Sequence, residues 1–254
     1  MKPFEKITEV LEIMKQVAKQ IILVGVVIGG FLLLWEIPHH ESNALSHKDR
    51  VLQLGTNLPS YEIQTFLKHI STRLPRYREE FQQAEKNTGI PWILLASMSY
   101  QESKWNRHAI SPTGVRGLMM LTRSTAADLG IQNRLDPKKS IAGGAQYLSH
   151  LYNRVSDAAE RPDRMFLALA AYNVGIGHIK DAQLLAGRLG KNSNQWDDLK
   201  DVLPLLAKRK YYQDLPHRYA RGWEPVQYVK RIRAYRKILD QVVKQQEKSQ
   251  QVEI

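Results

Sequence analysis

Apolar residues recur at the three- and four-residue spacing of amphipathic helices along most of the chain beyond residue 60. The spacing predicts helices over 61–86, which Pro75 interrupts, and over 91–102, where the apolar run 93–98 must be largely buried. Further helices are predicted over the ranges 123–129, 137–152, 164–172 and 224–246, and another, after a break over 174–177, is predicted to reach residue 187. No convincing alternating run predicts a strand, so we expect an all-α, or nearly all-α, domain.

The N-terminal part of the chain has a different pattern, in which four lysines precede an unbroken apolar run over 21–35. That run is short against the roughly 20 residues of a spanning helix, although neighbouring apolar residues and a snorkelling Lys19 extend it. We predict an uncleaved membrane anchor over 1–38, with its lysine-rich side in the cytoplasm and residues 40–254 outside it. A cleaved signal peptide and a buried core helix are the alternatives.

A polar, aperiodic stretch over 39–59 is interpreted as a tether between this anchor and a folded domain over 60–248. His39, His40 and His47 lie in the tether and are possible metal ligands. No acidic or cysteine partner repeats at ligand spacing, so solvated histidines are the preferred interpretation and no metal site is predicted.

Composition limits the possible partners more than the fold. A chain of 254 residues with 43% hydrophobic and 24% charged content suits one large globular domain with an appendage. The net charge of +12 favours a polyanionic partner, such as nucleic acid, anionic lipid or an acidic wall polymer. The absence of cysteine excludes a disulfide framework, a thiol nucleophile and a thiolate metal site.

Glu102 is the first acidic residue at the end of the apolar helix predicted over 91–102. Burial at a helix end disfavours the charged form of a carboxyl group, so its pKa is expected to rise toward neutrality, where it can donate a proton. The alternative is an ordinary polar residue that marks the exit of the helix to solvent. The loop over 104–117 that follows is expected to wall a cleft.

Several kinds of chemistry are excluded because their motifs are missing: the G-x-S-x-G elbow, the H-E-x-x-H zinc motif, the phosphate-binding loop and the dinucleotide glycine pattern. Tyr172 and Asn173 lie where a predicted helix breaks at glycine. Singly, they fit a core aromatic residue and a helix-ending residue. Together with Glu102 they begin to suggest a sugar-binding site.

Three motifs carry a resemblance to a known family: Gln-Glu-Ser at 101–103, Ser-Pro-Thr-Gly-Val-Arg-Gly-Leu-Met-Met-Leu-Thr at 111–122, and Ala-Ala-Tyr-Asn-Val-Gly at 170–175. In order and spacing they resemble the motifs of the soluble-lytic-transglycosylase family, whose catalytic domain has a lysozyme-like fold. The likeness covers about residues 60–240, and it is greatest to the membrane-bound F-type members. It extends through the residues around 211–229.

The resemblance implies cleavage, without water, of the β-1,4 bond between N-acetylmuramic acid and N-acetylglucosamine in peptidoglycan, which leaves a 1,6-anhydromuramyl end. Glu102 would be acid and then base, with Tyr172 hydrogen-bonding near it. A retaining hydrolase of the usual kind needs a second carboxylate, whereas a substrate-assisted reaction needs one. No Asp or Glu lies between Glu102 and Asp128, which agrees with the second scheme. No cofactor is expected.

The resemblance also implies residues that contact the glycan: Ser111, Met119, Met120, Asn173, Glu224 and Tyr228. Met120 stands where most of the wider family has glutamine, although the F-type members resemble this chain there. From the residues alone, other roles stay open for three of them. Ser111 is suited to start a turn, Met119 to fill a core and Glu224 to stabilise a helix N-terminus.

Basic residues dominate the end of the chain, where 12 Lys or Arg stand against four acids between Lys208 and Lys248. They form a solvated face, or they attract an acidic wall polymer or membrane surface. The anchor places this surface in the periplasm at the inner membrane, so a nucleic-acid partner is not expected and no protein partner is predicted. With a cleaved signal, the domain is instead periplasmic or outer-membrane associated. A hydrolytic muramidase and a catalytically silent peptidoglycan-binding scaffold are the alternative functions.

Overall fold

The computed structural model describes residues 55, 56 and 58–252, which belong to a unit comprising Lys48–Ile254. This part of the chain is helical and contains no β-strand, in agreement with the predicted fold class. Its α-helices are α1 (Ser60–Thr72), α2 (Arg78–Thr88), α3 (Trp92–Ser103), α4 (Arg123–Asp128), α5 (Pro137–Arg154), α6 (Asp163–Val174), α7 (Ile176–Arg188), α8 (Trp196–Val202), α9 (Arg209–Tyr212) and α10 (Trp223–Val252). Short 3-10 helices occupy Leu74–Arg76 and Leu203–Ala207.

Local sequence explains where most of these helices begin and end. Pro75 lies in the 3-10 turn that separates α1 from α2, as predicted. The Thr122 hydroxyl accepts a hydrogen bond from the Thr125 amide at 3.0 Å, and Asp136 caps α5 in the same way. Pro91 immediately precedes α3 instead of occupying its first position.

The final helix continues past its predicted end near residue 246 to Val252. Its apolar spacing stops at Val243, and the residues that follow are mostly exposed Lys, Gln and Glu. These residues have high intrinsic helix propensity, so the helix persists without burying a face. A pattern based on apolar spacing therefore ends the helix too early.

The core is organised around α3, which packs against α10 and α2, while α10 also packs against α6. Buried residues occur all around α3, including Leu95, Met98 and Tyr100. A helix enclosed on most sides has little room for charge, and its last turn is where the acidic side chain of Glu102 occurs. The packing of α10 on α3 thus determines what that acidic side chain contacts.

The loop between α3 and α4 is irregular, as predicted, but it is held in a defined shape. Isolated β-bridges join Arg116 to Ile110 and to Leu121. Gly117 has a φ of +84°, and a Cβ atom there would lie 1.9 Å from the carbonyl oxygen of Arg134. The Arg134 guanidinium in turn donates to the carbonyl oxygen of Leu121 at 2.8 Å. The loop therefore closes tightly against the residues that precede α5.

In the described part of the chain, no helix combines the length and apolar character that crossing a membrane requires. The predicted anchor over 1–38, its apolar core over 21–35 and the histidines of the tether lie outside the described residues. The boundaries of anchor, tether and domain stay predictions.

Candidate active site

Glu102 lies in the last turn of α3, and hydrogen bonds hold the following loop against this end of the helix. Ser99 and Ser103, one turn apart and both buried, donate their hydroxyl groups to the Leu118 carbonyl oxygen at 3.1 and 2.9 Å. Because both serines face the loop, the backbone around Leu118 is held beside the carboxyl-bearing turn. The serines explain why an otherwise apolar helix carries hydroxyl groups at these positions.

The carboxyl group of Glu102 accepts a hydrogen bond at Oε1 from the Tyr228 hydroxyl. Tyr228 belongs to α10 and is only 5% exposed. The packing of α10 on α3 therefore brings together two residues that the resemblance assigned to one site, although 126 positions separate them.

Burial raises the pKa of Glu102 to about 7, and the Tyr228 hydrogen bond opposes part of that rise because it stabilises the carboxylate. Both protonation states are then populated near neutral pH. A group in this condition can give up a proton and take one back within a reaction cycle. The alternative of an ordinary solvated carboxyl at a helix end is not supported.

Tyr172 lies close enough to Glu102 for the carboxylate charge to contribute to its pKa. Its hydroxyl donates to the Met119 carbonyl oxygen at 2.7 Å, and its ring centroid lies 5.2 Å from that of Tyr147. Burial raises the pKa of both Tyr172 and Tyr228 well above 10. The two phenols therefore remain protonated donors over the working pH range of most enzymes.

Met119 reaches this site through its backbone. Its side chain is fully buried, and a Cβ atom at Gly144 of α5 would lie 2.6 Å from it. Its amide donates to the Ser140 hydroxyl at 3.2 Å while its carbonyl oxygen accepts from Tyr172. Met120, partly exposed, has a positive φ of 46°. The tight backbone at these two methionines directs the Met119 carbonyl toward Tyr172.

The other predicted glycan-contacting residues are more exposed, and their roles stay predictions. Ser111 accepts a hydrogen bond from the Val115 amide at 3.2 Å within the loop, so it also stabilises a turn. Asn173 is exposed at the end of α6. Glu224, in the first turn of α10, forms an ion pair with Arg221 at 2.9 Å.

One set of contacts at this site was not predicted. Gln101, beside Glu102, accepts a hydrogen bond from Arg231 of α10, and Arg231 forms an ion pair with Glu62 of α1. The spacing of Tyr228 and Arg231, three residues apart on one helix, was the available signal, because such residues share a face. The acidic partner in α1 could not be identified from that spacing.

Among the described residues, no group of three His, Asp or Glu side chains is placed to hold a metal ion. A separate pocket of about 370 Å³ lies between residues 55, 56 and 58 and α10. Its lining includes the basic residues Lys230, Arg231, Arg233 and Lys237, and neither Glu102 nor Tyr172. The pocket is therefore distinct from the Glu102 site.

Together, the fold and this site define a helical domain built around a partly buried carboxyl group with a pKa near neutrality, an arrangement suited to acid–base catalysis. Residues 79–195 match the family described as Transglycosylase SLT domain. The resemblance identified from the three motifs is confirmed.

Relatives of known name support the same assignment. Membrane-bound lytic murein transglycosylase F 1 of Alkalilimnicola ehrlichii is 52% identical over 179 residues, which are 70% of this chain and 36% of that relative. Membrane-bound lytic murein transglycosylase F of Maricaulis maris is 53% identical over 178 residues, which are 70% of this chain and 39% of that relative. This chain thus spans well under half of the length of these relatives.

A solved structure, that of an inactive mutant of lytic transglycosylase Slt from Pseudomonas aeruginosa, is 24% identical in sequence to this chain. It aligns with a TM-score of 0.49 over 66% of this chain and 24% of that protein.

Proposed function

We propose that this chain is a lytic transglycosylase that cleaves the β-1,4 bond between N-acetylmuramic acid and N-acetylglucosamine in peptidoglycan. The observation that carries the proposal is that Glu102, partly buried at the end of α3, has a pKa of about 7 and accepts a hydrogen bond from Tyr228, and that Glu102 lies within the residues that match the transglycosylase SLT domain. The names of relatives about half identical in sequence support the choice of murein as substrate.

In the first half of the reaction, protonated Glu102 donates its proton to the glycosidic oxygen. The bond between that oxygen and C1 of the muramyl residue breaks, and the N-acetylglucosamine side leaves with a new hydroxyl group. The acetamido carbonyl oxygen of the muramyl residue stabilises the positive charge at C1. A substrate-assisted step of this kind needs one protein carboxyl, and the two influences on the pKa of Glu102, burial and Tyr228, do not include a second carboxylate.

In the second half, the Glu102 carboxylate accepts the proton of the muramyl C6 hydroxyl as the C6 oxygen attacks C1. A bond forms between C1 and O6, the acetamido group is released, and Glu102 is protonated again. The product carries a 1,6-anhydro ring, and no water is consumed. A pKa of about 7 suits both halves, because neither protonation state of Glu102 is strongly disfavoured at neutral pH.

The surrounding residues are proposed to act by hydrogen bonding. The Tyr228 hydroxyl stabilises the Glu102 carboxylate after it has lost its proton. The Tyr172 hydroxyl donates a hydrogen bond to the Met119 carbonyl oxygen. We propose that it turns toward the acetamido group when substrate binds. Ser111, Met120, Asn173 and Glu224 are proposed to line the glycan cleft.

The test is mass spectrometry of muropeptides released from purified sacculi by the full chain, with Glu102→Gln as the control. Anhydro ends that are absent with the variant support the transglycosylase. Reducing ends, one water heavier, would instead identify a hydrolytic muramidase. If the folded chain binds sacculi but releases nothing, the catalytically silent scaffold replaces the enzyme.

We also infer that the domain works in the cell envelope, tethered to the inner membrane by the predicted anchor over 1–38 and exposed to the periplasm. The apolar run over 21–35 and the membrane-bound relatives support this location. Protease protection in spheroplasts tests it. Digestion of the domain from outside, with retention of an N-terminal tag in the membrane, is expected, and a soluble processed form would identify a cleaved signal.

A further inference from the structure

One turn beyond Tyr228, a second side chain of α10 is bonded to the end of α3. The Arg231 Nε–H group donates to the Gln101 side-chain oxygen at 2.9 Å. Gln101 directly precedes Glu102, and Arg231 follows Tyr228 by three positions. The two contacts, Tyr228 to Glu102 and Arg231 to Gln101, therefore join the same two turns of α3 and α10.

Arg231 is itself held by α1. Its Nη2–H groups donate to Glu62 and to the Tyr235 hydroxyl, the latter at 2.9 Å, and the Tyr235 hydroxyl donates to Glu62. The Glu62 side chain is only 12% exposed. Arg231 thus uses two nitrogen atoms of its planar guanidinium to contact α3 and α1, whereas a lysine ammonium lacks this fixed fork of donors.

Other charged groups face this cluster. Lys104, at the end of α3, lies 3.8 Å from Glu62 and donates to the Tyr235 hydroxyl at 2.8 Å. Arg73 donates to the Lys104 carbonyl oxygen at 2.8 Å. Glu62 therefore has two cationic partners, and Arg231 has one carboxylate partner, so the cluster carries a net positive charge on the side of α3 that faces α1.

We propose that Arg231, held by Glu62, is a positioning residue that keeps the Tyr228 hydroxyl aimed at the Glu102 carboxyl. Apolar packing against α3 and α6 holds α10 in place, but it leaves the Tyr228 hydroxyl some freedom of direction relative to the Glu102 carboxyl. A second contact one turn away, itself held by a third helix, removes that freedom. The expected effect on the reaction rate rests on the proposed function, whereas the expected effect on the titration of Glu102 does not.

The structural consequence is a shift in the titration of Glu102. Loss of Arg231 loosens the Tyr228 hydrogen bond, which is the influence that lowers the pKa of Glu102. Removing a hydrogen bond to a charged group raises a carboxyl pKa by about one unit, so partial loosening is expected to raise the midpoint by about half a unit. A residue that only joined α1 to α10 would affect stability and leave this midpoint unchanged.

The experiment is a pH titration of the Glu102 carboxyl in the full chain by carbon-13 NMR, with the Glu102→Gln variant used to assign the signal. Arg231→Gln is expected to raise the midpoint by about half a pH unit. Arg236→Gln, at an exposed position of α10, is the matched control and is expected to leave it unchanged. Equal midpoints in the wild type and Arg231→Gln would overturn the proposal.

Two further variants make the test specific. In a Tyr228→Phe background the bond is already absent, so adding Arg231→Gln is expected to shift the midpoint no further. A further shift of the same size would show that Arg231 acts on Glu102 by another route and would overturn the proposal. Gln101→Met leaves the Arg231–Glu62 pair in place, and its midpoint is expected to rise, even if Arg231→Gln fails to fold. An unchanged midpoint would also overturn the proposal.

The kinetic arm separates this inference from the proposed function. If anhydro products form, Arg231→Gln is expected to lower kcat about threefold, less than complete loss of the Tyr228 bond would, and to change KM by less than about twofold, because the loss concerns the placement of the acid. If no products form while the midpoint still shifts, the positioning role stands and the proposed reaction fails. If anhydro products form but Arg231→Gln leaves the midpoint unchanged, the proposed reaction stands and the positioning role fails.

Discussion

Replacing Glu102 with glutamine is expected to stabilise the protein, by an amount that grows with pH. Glutamine matches glutamate in shape and its side-chain oxygen can still accept the Tyr228 hydrogen bond, but it carries no charge. The pKa of Glu102 is about 7 in the folded protein against an ordinary value of 4.5. At about 1.4 kcal/mol for each pH unit, this difference corresponds to about 3 kcal/mol.

The sign follows from which state holds the proton. Below pH 4.5 the carboxyl is protonated in both the folded and the unfolded chain, and Glu102 is at its most favourable for folding. Between pH 4.5 and about 7 the folded chain retains a proton that the unfolded chain has lost, so the stability contributed by Glu102 declines as pH rises. Above about pH 7 burial of the charged form incurs its full cost. The stability difference between Glu102→Gln and the wild type should therefore increase across that window and then level off.

The assay is urea unfolding from pH 4 to pH 8.5, followed by tryptophan fluorescence, since Trp105 and Trp196 are both buried. Glu160→Gln, at an exposed loop position, is the matched control and should give a difference that does not vary with pH over this range. A difference between Glu102→Gln and the wild type that stays constant from pH 4 to pH 8.5 would refute the claim that burial raises the pKa of Glu102.

Two other predictions concern the same site and its loop. Tyr228→Phe should raise the pKa of Glu102, because the hydrogen bond that stabilises the carboxylate is lost. It should lower kcat of the proposed murein cleavage about tenfold and move its pH optimum upward. An unchanged pH optimum would contradict this prediction. Gly117→Ala should lower the free energy of unfolding by about 3 kcal/mol or prevent folding, because its φ is +84° and the new Cβ meets the Arg134 carbonyl oxygen. Gly114→Ala, with a φ of +81° and open space around it, is the control and should cost only about 1 kcal/mol in the same urea assay; equal losses would show that the close contact is unimportant.

Much of the fold was predictable because helical spacing and terminal residues are local signals. Pro75 separates α1 from α2 as predicted, and the caps Thr122 and Asp136 directly precede the helices predicted over 123–129 and 137–152. The short helices α8 and α9 were not predicted individually, because four to seven residues are too few to establish a period. The extension of α10 was missed for a different reason, since its last two turns bury little.

The site was predictable only as a set of side chains. The resemblance implied roles for Glu102, Tyr172 and Tyr228, but the group that accepts a hydrogen bond from the Tyr172 hydroxyl is the backbone carbonyl of Met119. Any residue type supplies such a carbonyl, so side-chain patterns carry no information about it. The Arg231–Glu62 pair joins residues 169 positions apart, and its residue types are common on helix surfaces.

Local sequence left two interpretations of Glu102 open, a solvated residue at a helix end and an acid with a raised pKa. Contacts with another helix distinguish between them. α3 brings the carboxyl to its last turn, but α10 covers that turn and donates the Tyr228 hydroxyl. The pKa of Glu102 is therefore a property of the contact between the two helices. A substitution at Tyr228 of α10 that leaves both helices intact is therefore enough to change it.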